Sequence, residues 1–95
     1  MKISVWLFTT LRELAGKREE TIEFSARTVT VNDVLEELVK RHGKEFKDYL
    51  YDKEKKVRGH LQFLVNGRSV SLLEDLETQL KEGDRLVIIP PVGGG

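Results

Sequence analysis

The chain contains no cysteine among its 95 residues. This absence excludes a disulfide framework, thiolate metal ligands, a thiol nucleophile and a persulfide carried on a side chain. Because disulfides mark oxidising compartments, we expect a cytoplasmic protein. Long hydrophobic runs and a charged-then-apolar leader are missing as well. We therefore predict that the protein neither spans a membrane nor carries a signal peptide.

An excess of either charge is also missing, since 16 basic and 16 acidic residues cancel. Proteins that bind nucleic acid usually present a basic surface to the phosphates, so nucleic acid is not the expected partner. The composition is 39% hydrophobic and 34% charged, which indicates a globular chain rather than a disordered one. At this length we expect a single domain with one modest core.

Five segments have the alternating or apolar pattern of β-strands. They are residues 2–8, 21–24, 61–65, 68–72 and 85–89. The first two are expected to pair as a hairpin, and Asn66-Gly67 is a strong signal for a tight turn between the third and the fourth. The last strand is apolar almost throughout, which suits the middle of a sheet.

One amphipathic helix is predicted between the second and third strands. Thr30 is a suitable N-cap with Asp33 three residues further on, and Gly43 suits the position just after a helix. Between these signals, apolar residues repeat at helical spacing: Val31, Val34, Leu35, Leu38 and Val39. Shorter helical turns are expected at 11–15 and 46–50, and a charged, mobile loop at 51–60.

The order strand, strand, helix, strand, strand, strand provides one helix to cover one sheet. We predict an α+β fold of the β-grasp (ubiquitin-like) type, a mixed sheet of about five strands on one main helix with its first and last strands parallel. Residues 1–90 would form this domain and residues 91–95 a flexible C-terminal tail ending in Gly-Gly. The expected core comprises Ile3, Val5, Leu7, Ile22, Phe24, Val34, Leu35, Leu38, Phe63, Val65, Leu86 and Ile88.

The sequence shows no clear pattern of an ordinary active site or of a metal site. His42 and His60 have neither cysteines nor a helical i, i+4 partner, so we predict no metal site. Glu36 and Glu37 are neighbours on a helix and diverge, which indicates a solvated face rather than an acid/base pair. The triple glycine is not followed by a helix, so it does not suit a phosphate loop.

The segment from Pro90 to Gly95 is more informative. Pro90 and Pro91 stop backbone hydrogen bonding directly after an apolar strand, and the glycines that follow have no Cβ. A backbone of this kind could pass through a narrow channel into the ATP site of another enzyme. There the unhindered Gly95 carboxylate could become an acyl-adenylate. The residues alone leave a frayed terminus as the alternative.

Several segments together resemble the small, sulfur-carrying subunit of molybdopterin synthase. The similarity spans nearly the whole chain and is carried by LF at 7–8, LRELAG at 11–16, VNG at 65–67, LETQLKEGD at 76–84 and IIPPVGGG at 88–95. Gly94 and Gly95 match the terminal pair of that family. Gly93 stands where the family tolerates several residues, so a third glycine is a mild departure.

This resemblance implies a sulfur carrier in the biosynthesis of the molybdenum or tungsten cofactor. A ubiquitin-activating-type enzyme would adenylate Gly95 with ATP, and sulfur would then replace AMP to give a thiocarboxylate. The end of the chain, with Gly94 next to the reacting residue, would enter the large subunit of molybdopterin synthase, where catalysis takes place. The chain itself would bind no cofactor and would not be catalytic alone.

Other functions stay open at this point. Archaeal relatives with the same fold attach through the same glycine to lysines of target proteins, so the chain could be a protein modifier that begins with the same adenylate. Carriers for thiamine synthesis or tRNA thiolation share the fold and the glycine end. A plain interaction module with an inert tail is a further alternative.

Strand parity predicts the surface that meets these partners. If Ile3, Val5 and Leu7 face the helix, then Trp6 and Phe8 face away from it. By the same count a partner face opposite the helix holds Phe8, Leu64 and Ile89 at its centre and Trp6 and Val87 nearer its edge. Pro91 and Gly93 are predicted to contact the partner as well.

Overall fold

The computed structural model describes residues 1–90 of the chain. Its strands are β1 (Lys2–Leu7), β2 (Glu19–Glu23), β3 (Val29–Thr30), β4 (Gln62–Val65), β5 (Arg68–Ser69), β6 (Gln79–Leu80) and β7 (Arg85–Ile89). Its α-helices are α1 (Thr9–Ala15), α2 (Val31–His42) and α3 (Lys44–Leu50). Two short 3-10 helices cover Val70–Leu72 and Asp75–Glu77.

Five of these strands form one mixed sheet in the order β2-β1-β7-β4-β5, while β3 and β6 pair separately. β1 and β7 are parallel neighbours, and the other pairs in the large sheet are antiparallel. The apolar stripe of α2 is buried in the same core as the inward side chains of the sheet. The predicted β-grasp fold, including the parallel pairing of the first and last strands, is confirmed.

The main helix begins and ends where its sequence signals predict. The Thr30 hydroxyl accepts a hydrogen bond from the Asp33 backbone N–H at 3.2 Å, and the Asp33 carboxylate accepts one from the Thr30 backbone N–H at 2.9 Å. This reciprocal pair satisfies two donors that the first turn would otherwise leave unpaired. Gly43 ends the helix with φ at +89°, in the region that favours glycine.

The core is larger than the sequence pattern predicts. Eleven of the twelve expected core residues are buried, whereas Phe24 lies half-buried at its margin. Phe24 follows the last residue of β2, and this position at the end of an edge strand leaves one side of its ring uncovered. Further buried apolar residues come from all three helices, the short strands β3 and β6, the first 3-10 helix and the loop before β4: Leu11, Val29, Val31, Phe46, Leu50, Leu61, Val70 and Leu80.

Several element bounds differ from the prediction: β1 ends at Leu7 instead of residue 8, and β2 covers Glu19–Glu23 instead of 21–24. The strand expected over 68–72 stops at Ser69, because the chain then turns into the 3-10 helix Val70–Leu72 to place Val70 in the core. The pairing of β3 with β6 is absent from the prediction, since two-residue strands are too short to show an alternation. The turn at Asn66-Gly67 is confirmed, with φ of +50° and +86° at the two residues.

Some predictions fall on residues that the structure does not describe. Pro91, Gly93, Gly94 and Gly95 lie outside the described residues, and so does the proposed division between a domain at 1–90 and a tail at 91–95. Within residues 1–90, no helix combines the length and the apolar character needed to cross a membrane.

Candidate functional site

The face of the large sheet opposite α2 carries a group of apolar side chains. Trp6 on β1, Leu64 on β4, and Val87 and Ile89 on β7 are half-buried, and Phe8, just after β1, is 40% exposed. Their sequence neighbours Leu7, Phe63, Val65, Leu86 and Ile88 point into the core. The alternation of burial along β1, β4 and β7 agrees with the predicted parity for Trp6, Leu64, Val87 and Ile89, whereas their role in binding a partner stays a prediction. We call these five residues the open-face patch.

The strand register shows that the open-face patch is continuous across three strands. Val87 lies opposite Trp6 on one side and opposite Leu64 on the other, so these three side chains form a row. Neighbouring strands are about 4.8 Å apart, which brings adjacent members of such a row into contact range. Val87 is thus in the middle of the patch. Which of the five residues is central to an interface stays a prediction.

Ile89 and Phe8 extend the patch toward the end of the sheet where β7 finishes. Leu7 pairs with Ile88, which places the next residues, Phe8 and Ile89, beyond that pair at the same end. β7 is the middle strand of five, so the chain leaves the sheet at Pro90 from its centre and beside the patch. The residues that follow are those predicted to react.

Trp6 holds an unusual position in the open-face patch. The guanidinium of Arg85 lies over its indole ring at 4.3 Å from the centroid, in a cation–π contact. The indole N–H is buried and donates to no acceptor among the residues that the structure describes. A buried donor without an acceptor is uncommon, and such a group in a native protein calls for an explanation.

Two arginines that the sequence interpretation did not single out border the same patch. Arg12 on α1 and Arg18 just before β2 line a small cavity together with Trp6 and Phe8. The sequence holds little signal for this grouping, because Phe8 is the extended N-cap residue of α1 and does not belong to its helical turns. α1 positions Arg12 through its backbone N–H, which donates to the Phe8 carbonyl at 3.4 Å.

The histidines and acidic residues of the chain serve other purposes. The Glu20 side chain is buried and accepts hydrogen bonds from Arg41 at 2.7 Å, while its other oxygen lies 2.6 Å from His42 Nε2. Burial raises the pKa of the Glu20 carboxyl, but the hydrogen bonds from Arg41 and His42 outweigh burial and hold that pKa below its ordinary value. This cluster joins β2 to the end of α2, on the side away from the open-face patch.

The acidic residues and the second histidine do not form a metal centre in the described part of the chain. Among residues 1–90, no group of three or more His, Asp and Glu side chains comes close enough together to hold a metal ion. Glu36 is exposed, and Glu37 pairs with Arg41 at 3.0 Å along the helix. His60 is exposed in the loop before β4.

Comparison with known proteins gives one consistent group of relatives. The sequence profile of the ThiS family matches residues 5–95. Small archaeal modifier protein 3 of Haloferax volcanii is 33% identical over 95 residues, which cover the whole of both chains. The molybdopterin synthase sulfur carrier subunit of Drosophila melanogaster is 30% identical over 95 residues, covering 100% of this chain and 92% of that protein.

A solved structure agrees with this grouping. The solution structure of small archaeal modifier protein 1 from Methanosarcina acetivorans matches with a TM-score of 0.85 at 34% identity, over 99% of this chain and 96% of that one.

Proposed function

This chain belongs to the ThiS family of ubiquitin-like sulfur carriers, and from this membership we propose that it carries sulfur as a thiocarboxylate on Gly95. The match to the family extends through the glycines at 93–95. The observation that carries the proposal is the position of the open-face patch, which lies beside the point where the central strand β7 ends. A partner docked on this patch would receive the reacting end of the chain.

The chemistry needs an enzyme that activates a poor electrophile. A carboxylate oxygen of Gly95 attacks the α-phosphorus of ATP and pyrophosphate leaves, which gives an acyl-adenylate. A hydrosulfide-level sulfur nucleophile then attacks the acyl carbon and AMP leaves, so that sulfur takes the place of one carboxylate oxygen with no change of oxidation state. The contribution of this chain is a glycine end without a Cβ, which can reach a closed active site. ATP binds to the activating enzyme and not to this chain.

We infer one partner from this chemistry and a second from the similarity to a molybdopterin synthase sulfur carrier subunit. The first is a ubiquitin-activating-type adenylating enzyme, and the second is a large subunit of molybdopterin synthase that takes the sulfur from the thiocarboxylate. One of the relatives is named as the sulfur carrier subunit of molybdopterin synthase, which supports the assignment to molybdenum or tungsten cofactor biosynthesis. In this assignment the chain is the small subunit, and catalysis resides in the large one.

Mass spectrometry of the intact protein from its host tests the proposal. We expect a population whose mass is increased by the replacement of one oxygen atom with sulfur, with the change located on Gly95 by fragmentation. Protein from a host strain without the adenylating enzyme should lack this population. A chain that is never found with sulfur at Gly95, under conditions where the cofactor is made, would contradict the proposal.

A second candidate function, protein modification, is suggested by another relative. Because a small archaeal modifier protein matches this chain over its full length, Gly95 could instead form an isopeptide bond with lysines of target proteins. Both functions begin with the same adenylate, so the products distinguish them. Digestion of proteins captured with the tagged chain would show branched peptides on target lysines for a modifier, and the sulfur-bearing chain alone for a carrier.

A further inference from the structure

The margin of the open-face patch is basic near the end from which the chain leaves the sheet. Arg12 and Arg18 are both exposed and line one cavity with Trp6 and Phe8. Within residues 1–90 neither guanidinium forms a hydrogen bond or a salt bridge to a carboxylate. Two cations thus stand next to the most exposed aromatic ring of the patch with no charged partner in the described part of the chain.

Arg85 adds a third positive charge to the same face. Its guanidinium covers the Trp6 ring at 4.3 Å, and the indole N–H of Trp6 lies buried without an acceptor among residues 1–90. Glu19 lies opposite Trp6 on β2 and accepts a hydrogen bond from the Ser4 hydroxyl at 2.7 Å, and no salt bridge joins it to Arg12, Arg18 or Arg85 among residues 1–90. Among the described residues, the cavity itself is lined by two arginines and by no acidic residue.

The basic margin is a local property, because the chain as a whole has equal numbers of acidic and basic residues. A balanced protein can still present a field of one sign where partners meet, and charge complementarity then decides which surface it accepts. Guanidinium groups suit a carboxylate especially well, since they offer two parallel N–H donors to its two oxygens.

We propose that the cavity between Phe8 and Trp6 receives an acidic side chain of the adenylating enzyme, held by Arg12 and Arg18 while the open-face patch packs against apolar residues around it. The inference rests on the proposed function, to which it adds the chemistry of the partner surface. The two arginines make the contact specific. A partner surface with only apolar side chains would bury both guanidiniums without a charged partner, and that cost weakens its binding.

Titration calorimetry with the adenylating enzyme of the same organism tests this contact. Replacing both arginines, R12Q/R18Q, should raise the dissociation constant roughly 10-fold at low ionic strength, because two charge-assisted hydrogen bonds are lost. At about 500 mM NaCl the difference from the unmodified chain should shrink, since salt screens exposed charges. The charge-preserving variant R12K/R18K should keep a larger part of the affinity than R12Q/R18Q.

The matched control is K40Q/K44Q, which removes the same charge from exposed positions on the helix side. It should bind within about two-fold of the unmodified chain, and all variants should melt at similar temperatures. Equal losses for the two pairs of substitutions would overturn the proposal, because the effect would then come from net charge. So would unchanged affinity of R12Q/R18Q.

The two proposals fail in different ways. If Leu64→Asp abolishes binding while R12Q/R18Q binds normally, the docking face stands and the acidic contact is refuted. If the unmodified chain binds no adenylating enzyme, both are contradicted.

Discussion

At the scale of single residues, strand parity explains both faces of the sheet. Glu20 is an example. Because Ile22 points into the core, Glu20 two residues earlier must point the same way, although it is charged. The structure satisfies this carboxylate with Arg41 and His42 at 2.7 and 2.6 Å. The same parity places Trp6 on the open face, where its N–H has no acceptor among residues 1–90.

Replacing Glu20 tests the buried cluster. Glu20→Gln leaves Arg41 and His42 without their carboxylate. We expect it to lower the free energy of unfolding by about 1–3 kcal/mol at pH 7. The lower values of this range apply if solvent screens the partly exposed Arg41. Urea denaturation monitored by circular dichroism measures this change. Glu23→Gln, on the exposed side of the same strand, should have little effect.

The pH dependence of that loss follows from the lowered pKa of Glu20. A carboxyl whose pKa in the folded state lies below the ordinary value of 4.5 stabilises the fold above that pH, and the stabilisation disappears as the pH falls through the folded-state pKa. The difference in free energy of unfolding between the unmodified chain and Glu20→Gln should therefore become smaller below about pH 4.5. A gap that widens on acidification would contradict this role for Glu20.

At the scale of elements, the long periodic segments were predictable and the short ones were not. The sequence of α2 contains an N-cap, apolar residues at helical spacing and a terminating glycine. β7 is apolar enough to indicate the centre of the sheet. β3, β6 and the 3-10 helices are held by tertiary packing, as the burial of Val70 shows, and leave little periodic signal. The basic margin at Arg12 and Arg18 needed the structure, because only the folded chain brings Arg18, in the connection between α1 and β2, beside Arg12, Trp6 and Phe8.

A substitution that creates a cavity tests whether the apolar side of α2 packs in the core. Leu38 is fully buried, and Leu38→Ala should lower the free energy of unfolding by about 2–5 kcal/mol, through lost transfer energy and an unfilled space. Thermal and urea unfolding would measure it. Lys40→Ala, exposed on the same helix, should change stability by about 0.5 kcal/mol or less. A similar small change for Leu38→Ala would mean that the stripe does not pack as described.

At the scale of the whole molecule, the two faces of the large sheet have different surroundings. The helices cover one face of the sheet and complete the core, while the other face keeps the open-face patch at the surface next to the end of β7. The sequence predicted this division because inward and outward residues alternate along β1, β4 and β7. It could not predict the position of Val87 in the middle of the patch, which depends on the register of three strands.

Docking through the open-face patch is tested by two substitutions with one control. Phe8→Ala and Leu64→Asp should each weaken binding to the large synthase subunit by about ten-fold or more, with little change in melting temperature. Leu72→Asp is the matched control, since Leu72 is 78% exposed and lies outside the patch. Titration calorimetry decides between the two sites. If Leu64→Asp and Leu72→Asp have equal effects, the docking surface lies elsewhere.

The most direct test of the account is ATP–pyrophosphate exchange by the adenylating enzyme, measured with the chain and with a variant that lacks Gly95. Exchange reports formation of the acyl-adenylate itself. We expect exchange with the unmodified chain and none with the shortened one or with a chain extended by one residue. The melting temperature should stay the same, since the core is built from residues between Ile3 and Ile88. Normal exchange by the chain without Gly95 would contradict the account.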